Sequence, residues 1–435
     1  MMIFGPSAYD AGNPQANPAR LINLYREPGT RTLLRSVQGM ASRVATNTIG
    51  AGDLLDMDGT LYAVFGAKLF DTTTTATKLA TLHAGEQFLS RNGATLTIVS
   101  GNHYYLWNGA LTEPAAGAFG TYGSITFLAG RTVLTEAGGN RFQWSDIDDP
   151  ATLNGLNFAS AEQRDDTLLR VMACNGMLML FGERSTEIWG VTGQGGASAF
   201  QLLPGAVVDI GVKSAKLAVN VGQGAFVVGD DGIAYLASGT QWQPVSIPAV
   251  NVAVEQGQPL RCVYWEHMGH KFCGIIFADR PAWVYDLTTQ EWFERADGQY
   301  GAWTMGAVAA WGASWAFAGD DGVVYSPVTD GTDRGGVLYR EATSGLIEQG
   351  GGYFTINEAD FGSAHGFQAV PAALTLETSR DGAIWGRAAG VDVGQDGDFA
   401  RRVVFRRLGT SRKRAFRLSL ASPCDFAVYA DANIK

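Results

Sequence analysis

The chain has 435 residues, of which 46% are apolar and 17% charged, a balance that supports a large buried core and excludes a wholly disordered chain. Its 56 glycines follow no three-residue period, which excludes collagen and points to many tight turns, and a net charge of −10 argues against a free nucleic-acid coat. Four cysteines (Cys174, Cys262, Cys273 and Cys424), an N-terminus without a signal-peptide pattern, and no apolar run near the roughly 20 residues of a membrane span together predict a soluble protein made in the cytoplasm, without membrane insertion.

Four prolines scattered between Gly5 and Ser36 disfavour both helix and central strand, so residues 1–45 are expected as an extended arm. From residue 57 the texture becomes short apolar and β-branched runs separated by glycine turns, which predicts an all-β chain. Paired runs begin at Gly59, Ala94, Arg131, Gly176, Gly224, His270 and Gly312, spaced 35 to 48 residues apart. That spacing matches the repeat of a β-propeller, so residues 46–335 are expected as a six- or seven-bladed propeller. The phrases Gly229–Tyr235 and Gly319–Tyr325 nearly repeat each other 90 residues apart, and Asp-Gly in each supplies hairpin-turn chemistry. The stretch Tyr285 to Trp292 resembles the strand, polar turn and tryptophan of kelch-type blades. Beyond a Gly-rich bridge, longer alternating strands predict a small β-sandwich-like C-terminal domain over residues 336–435, the alternative being that these strands close a blade.

No catalytic pattern stands out among His83, His103, His267, His270 and His365. Cys262, His267, His270 and Cys273 crowd into twelve residues, but their spacing fits no zinc knuckle and a hairpin there splits them between two faces, so no metal is expected. The two Asp-Asp-Gly turns lack the later acidic ligands of a calcium loop. Ser379 to Trp385 resembles the Asp-box of sialidase-like propellers, a structural hairpin even there. No cofactor is expected, and the chain is not read as an enzyme. The strongest charge signal is Arg401, Arg402, Arg406, Arg407, Arg412, Lys413, Arg414 and Arg417, eight cations with no acid among them, read as two strands around a Gly409 turn. It is either a charged edge that blocks aggregation or an interface for acidic loops or phosphates.

Arg20 to Tyr25, Gly182 to Trp189, Thr378 to Arg387 and Val403 to Leu418, in that order, resemble the tail-hub, or packaged-DNA stabilisation, proteins of short-tailed bacteriophages. The resemblance implies a structural virion protein of the tail. It would form a homo-hexameric hub or nozzle below the portal and its adaptor protein, carry tailspike, fibre or needle proteins, and retain the genome. Passing genomic DNA would be met without sequence-specific binding, and an acidic channel wall would let it slide, an idea that basic lumen residues would overturn. Two rivals remain: a receptor- or glycan-binding propeller displaying Trp107, Trp189 or Trp242, and a propeller glycosidase with carboxylates such as Glu183, Asp209 and Glu266 converging in the central well.

Overall fold

A computed structural model of the chain describes residues 3–9, 13, 15–29, 32–364, 372–394, 397–398 and 401–435. Seven four-stranded antiparallel units follow one another: blade 1 (51–81), blade 2 (87–112), blade 3 (122–160), blade 4 (168–208), blade 5 (218–244), blade 6 (259–295) and blade 7 (305–328). The first strand of each blade adjoins the first strand of the next, and that of blade 7 adjoins that of blade 1, so the ring closes at seven. Each of the seven paired runs in the sequence is the second and third strand of one blade. Alternation drives the packing, because both faces of a blade meet a neighbour and each strand must offer apolar side chains to two clefts. Between blades 3 and 4, for example, Phe142, Trp144, Trp189 and Phe200 interlock, with the Phe142 and Trp189 rings edge to face at 4.9 Å. Burying one such side chain contributes roughly 1.5–3 kcal/mol.

Blade 7 obtains its fourth strand from the other end of the chain. Gly39–Ala45 pairs antiparallel with Val323–Val328, from Val323 opposite Ala45 to Val328 opposite Gly39, with one register shift between Val324 and Tyr325. The ring is therefore closed by N-terminal residues, and the C-terminal strands close no blade. Between residues 20 and 45 the chain forms four paired strands, Arg20–Ile22, Leu24–Glu27, Leu33–Ser36 and Gly39–Ala45, rather than standing apart as an arm. Arg20–Ile22 joins one sheet of the C-terminal sandwich, while Leu24–Glu27 and Leu33–Ser36 join the other.

The first sandwich sheet places Arg20–Ile22, Tyr339–Thr343, Lys413–Ala421, Ala373–Ser379 and Ala389–Asp392 side by side. The second orders Leu24–Glu27, Leu33–Ser36, Ala427–Ile434, Phe354–Ala364 and Val403–Ser411. Phe361, Phe405 and Phe416 pack between them, and this core is continuous with the cleft between blades 6 and 7. The first sheet is also hydrogen-bonded to the propeller, because Arg20–Ile22 pairs in parallel with Glu291–Arg295, the outer strand of blade 6. The chain switches sheets at Asn23, buried and left-handed at φ 54°. Its side chain donates to Ala296 O and Tyr339 O and accepts from Ala296 N, so one amide ties blade 6 to the sandwich.

Candidate functional site

The basic C-terminal segment is not a hairpin around Gly409. Val403–Ser411 and Lys413–Ala421 lie in opposite sheets, and the chain turns between them at Arg412. Gly409 at φ 79° and Arg407 at φ 61° flank a register shift within the first of these strands, where the partner strand slips between Ile356 and Glu358. Positive φ at a glycine signalled a turn; here it serves a bulge.

Most of the eight cations are neutralised within the sandwich. Arg401 pairs with Asp392 at 2.8 Å, Arg402 with Asp360 at 2.6 Å, Arg406 with Glu358 at 3.3 Å and Lys413 with Glu348 at 2.6 Å. Arg414 is buried and donates to Thr378 Oγ1 at 3.1 Å, which removes it from any surface role. Arg412 lies over the exposed Tyr353 ring at 4.8 Å, and Arg407 makes no ion pair among the described residues. Six of the eight are exposed, and of these Arg407 and Arg412 make no ion pair among the described residues.

Arg417 belongs instead to a line of alternating charge that crosses five adjacent strands from blade 6 into the sandwich: Glu294, Arg20, Glu341, Arg417 and Glu377. Arg20 holds Glu294 through two bonds, of 2.7 and 2.5 Å, and Arg417 lies 3.6 Å from Glu341 and 3.3 Å from Glu377. Glu341, at 1% exposure, also accepts from Tyr300 (2.8 Å), Tyr339 (2.7 Å) and Thr343 (3.0 Å). Burial, and then this carboxylate, push the Tyr300 hydroxyl up to about 12. Burial alone works against the Arg20 charge, but Glu294 outweighs it and the guanidinium pKa is raised. Such a buried line demands that every member be paired, and so fixes the two domains against each other.

A second group of cations converges at the propeller axis. Arg170 on the inner strand of blade 4, Lys216 just before that of blade 5 and Arg261 on that of blade 6 point inward. Arg261 donates to Ala51 O at 2.9 Å and Gly52 O at 3.0 Å, and Lys216 donates to Gly52 O at 3.3 Å and to Gln87 O. These bonds run from blades 5 and 6 across the axis to blades 1 and 2. Lys216 and Arg170 share the face of Phe88, at 3.8 and 4.9 Å from its centre. The one ion pair of the trio among the described residues is Lys216 to Asp53, at 3.8 Å. Burial, with Arg261 and Arg170 adding to it and Asp53 opposing, lowers the Lys216 pKa to about 7. The propeller's own axis is thus bridged by basic side chains.

Neighbouring features have structural roles. In the two repeated turns Asp231 and Asp321 each cap the turn and accept from the tyrosine four residues on, Tyr235 and Tyr325, so the spacing the two turns share reflects a side-chain bond as well as a glycine. Asp381 accepts from Ala383 N, Ile384 N and Ser379 Oγ, while Trp385 covers Arg417 at 3.8 Å. Cys262 and Cys273 are buried between blades 5 and 6, whereas His270 packs against Tyr25 and bonds Asp286 at 2.6 Å. His83 stacks on His103, and His365 lies outside the described residues. Glu183 lines the mouth of the well, Asp209 is held by Arg164 at 2.9 Å and Glu266 accepts from Tyr264, so the three carboxylates do not converge. Trp189 is buried with its indole N–H on Glu187, and Trp242 turns toward Phe181 and Tyr235; Trp107 is half-buried. Of the three expected rim positions Trp189 is spent on packing, whereas Trp107 and Trp242 are partly exposed, Trp242 in the wall of a cavity of about 690 Å³.

The cross-axis trio went unnoticed in the sequence, although a signal exists. Positions 170, 216 and 261 are 46 and 45 residues apart, one blade repeat each time.

Residues 17–326 match the family model described as "Bacteriophage P22 Gp10, beta-propeller", and residues 339–435 match "Bacteriophage P22 Gp10, beta-sandwich". No curated protein matches the chain. Among solved structures, the computationally designed Ika8 protein is 13% identical, with 74% of this chain and 100% of that chain covered, at a TM-score of 0.44. BamB from Moraxella catarrhalis is 11% identical, with 70% and 94% covered, at a TM-score of 0.41.

Proposed function

The chain belongs to the bacteriophage P22 Gp10 family, and on that footing we propose that it is the hub of a phage tail, set below the portal and adaptor, where it lines part of the DNA exit route and retains the packaged genome. It is a structural phage protein and, as such, a component of the virion. Among the described residues no helix is long and apolar enough to cross a membrane. The observation that carries the hub reading is the match of both domains, in order, over nearly the whole chain.

The fold suits a part that transmits load without chemistry. One sheet runs from blade 6 through the sandwich, and the buried charge line stiffens that junction. In this reading a homo-hexameric ring surrounds the DNA, and the route for DNA lies between subunits, because Lys216 and Arg261 bridge the axis within each one. The exposed cations Arg406, Arg407 and Arg412, the last lying over Tyr353, are the surface offered to the adaptor or to a neighbouring subunit, and tailspike, fibre or needle proteins attach elsewhere. Arg401, Arg402, Lys413 and Arg417 support that surface through their ion pairs.

Deleting the gene and examining the lysate by electron microscopy, with an assay for nuclease-protected DNA, tests the proposal. Tailless heads that package and then leak their genomes are expected. Complete, DNA-filled particles that fail only to adsorb would transfer the protein to the tail tip.

A further inference from the structure

We propose that one copy of this chain docks on the next through two complementary surfaces: the acidic and apolar 145–157 loop of blade 3 seats on the basic loop end of the sandwich around Tyr353, Arg380, Ile384 and Arg412. This names the partner of the sandwich surface in the hub reading and rests on that reading for the ring.

Three loops meet at that end of the sandwich. Arg414 lies opposite Ile347, Ala415 opposite Ser379 and Ser411 opposite Phe354, which brings together the chain at 344–353, 379–387 and 411–414. Tyr353 and Ile384 stand there 71% and 76% exposed, with Arg412 over the Tyr353 ring at 4.8 Å. The same loops carry five cations, Arg380, Arg387, Arg412, Lys413 and Arg414, against two carboxylates, Glu348 and Asp381. Glu348 is taken by Lys413 at 2.6 Å, and Asp381 accepts from Ser379 Oγ, Ala383 N and Ile384 N. Arg380, Arg387 and Arg412 make no ion pair among the described residues. Arg414, buried beneath them, donates to Thr378 Oγ1 at 3.1 Å and keeps its Nε and one Nη without a partner. Burial, and then Arg380, lower its pKa, and no carboxylate opposes them. An acidic surface laid over this end supplies the missing charge, by contact with Arg380 and Arg412 and through space to Arg414.

Two observations select the occupant. Exposed aromatic and aliphatic side chains among arginines suit a protein surface, which buries them, better than a nucleic-acid backbone, which sets them against phosphates. The matching surface is on the chain itself. Residues 145–157 hold Asp146, Asp148 and Asp149 and no lysine or arginine. Ile147 and Leu156 are 59% and 73% exposed, and Asn157 Nδ2 bonding Asp146 at 3.1 Å sets them side by side. None of the three carboxylates has an ion pair among the described residues, and Arg131, buried, spends itself on Ser145 O at 2.7 Å. Asp148 N bonds Gly130 O at 2.7 Å, and Tyr104 of blade 2 donates to Pro150 O at 2.8 Å, so the loop is held in shape and docking orders little chain. Position agrees with charge. The sandwich continues the sheet of blade 6, which in a ring of seven stands across from blade 3. Complementary surfaces on opposite sides of one subunit make a head-to-tail contact, the kind that closes into a ring by rotation.

Thiol crosslinking in phage particles tests this. Ile147→Cys and Ile384→Cys in one chain put a thiol on each surface, and the four native cysteines are buried. With a short bismaleimide, a ladder of linked copies is expected from the doubly substituted protein and monomer alone from either single variant. Arg380→Glu with Arg412→Glu should lower incorporation into particles about tenfold, and adding Asp148→Arg with Asp149→Arg to the same chain should restore it. All six positions are exposed, so the variants report on contact rather than on folding. Particles that hold the doubly substituted protein as monomer only, or no rescue by the second charge reversal, overturn the proposal and leave the hub reading standing. Linkage of position 384 to a different virion protein also overturns it and gives the sandwich surface to that protein. The hub reading falls by a separate result, the DNA-filled particles of the gene deletion, which would leave a self-contact ladder intact.

Discussion

The two groups of positive charge in this protein contrast in every respect. The C-terminal segment packs eight cations into seventeen residues, yet five of them are ion-paired, because the neighbouring strands bring Glu358, Asp360, Glu348, Asp392, Glu341 and Glu377 alongside. The axial trio is spread over three blades and contributes no local excess to the sequence, yet it shares one ion pair at 3.8 Å. Density along a chain therefore says little about the field in the fold. What matters is which strands are neighbours, and in a propeller the neighbours at the axis are a blade apart in sequence.

The comparison can be broken at four points. The largest effect is expected from Glu341→Gln, which leaves Arg417 and three hydroxyl donors facing a neutral amide in a buried site. Unfolding free energy should fall by about 3–5 kcal/mol, measured by urea denaturation. A loss under 1 kcal/mol would show that the charge line does not tie the domains.

Next comes pH. Lys216 titrates at about 7 in the folded protein, lowered chiefly by burial, with Arg261 and Arg170 adding to the effect and Asp53 and Glu86 opposing it. Free lysine titrates near 10.4, so between these values the unfolded chain binds more protons, and the fold gains stability as pH rises above about 7. Relative to Lys216→Met, the wild type should gain about 2 kcal/mol between pH 7 and 9. A constant difference would mean that the trio is not strained by its own charge.

A smaller change is expected at the basic strand. Glu358→Gln releases Arg406, which is more than half exposed, while Arg402 keeps Asp360, at a cost of at most about 1 kcal/mol, and the salt needed to elute the protein from heparin should rise. Unchanged elution would contradict the view that the segment is neutralised from within. Smallest of all, Arg407→Gly relieves a left-handed arginine and should alter stability by no more than about 1 kcal/mol, in the stabilising direction. Its expected consequence is in assembly, as lower incorporation into particles; normal incorporation would remove Arg407 from the interface.

Much of the architecture was legible because blade hairpins are local. The second and third strands of all seven blades showed as apolar runs split by glycine turns, and the sandwich showed as longer alternation. The closing strand Gly39–Ala45 did not, since its partner lies some 280 residues away and its own residues are short and mixed. The same distance hid the seam at Asn23, an asparagine whose left-handed backbone is set by what it joins. Gly409 misled for a related reason: positive φ marks a departure from the strand, and sequence alone does not distinguish a turn from a bulge. Arg414 lies in the basic run but in the core of the fold, so a variant that replaces Arg406, Arg407, Arg412 and Arg414 together would confound loss of interface with loss of stability. The triple variant that spares Arg414 is the cleaner probe.

The most direct test of the hub claim is to add the purified protein to DNA-filled heads from a gene-deletion lysate and measure the fraction of genome protected from nuclease. Protection restored by wild-type protein, and not by the Arg406, Arg407 and Arg412 triple serine variant, is the predicted result. Heads that hold their DNA equally well with and without the protein would contradict the claim.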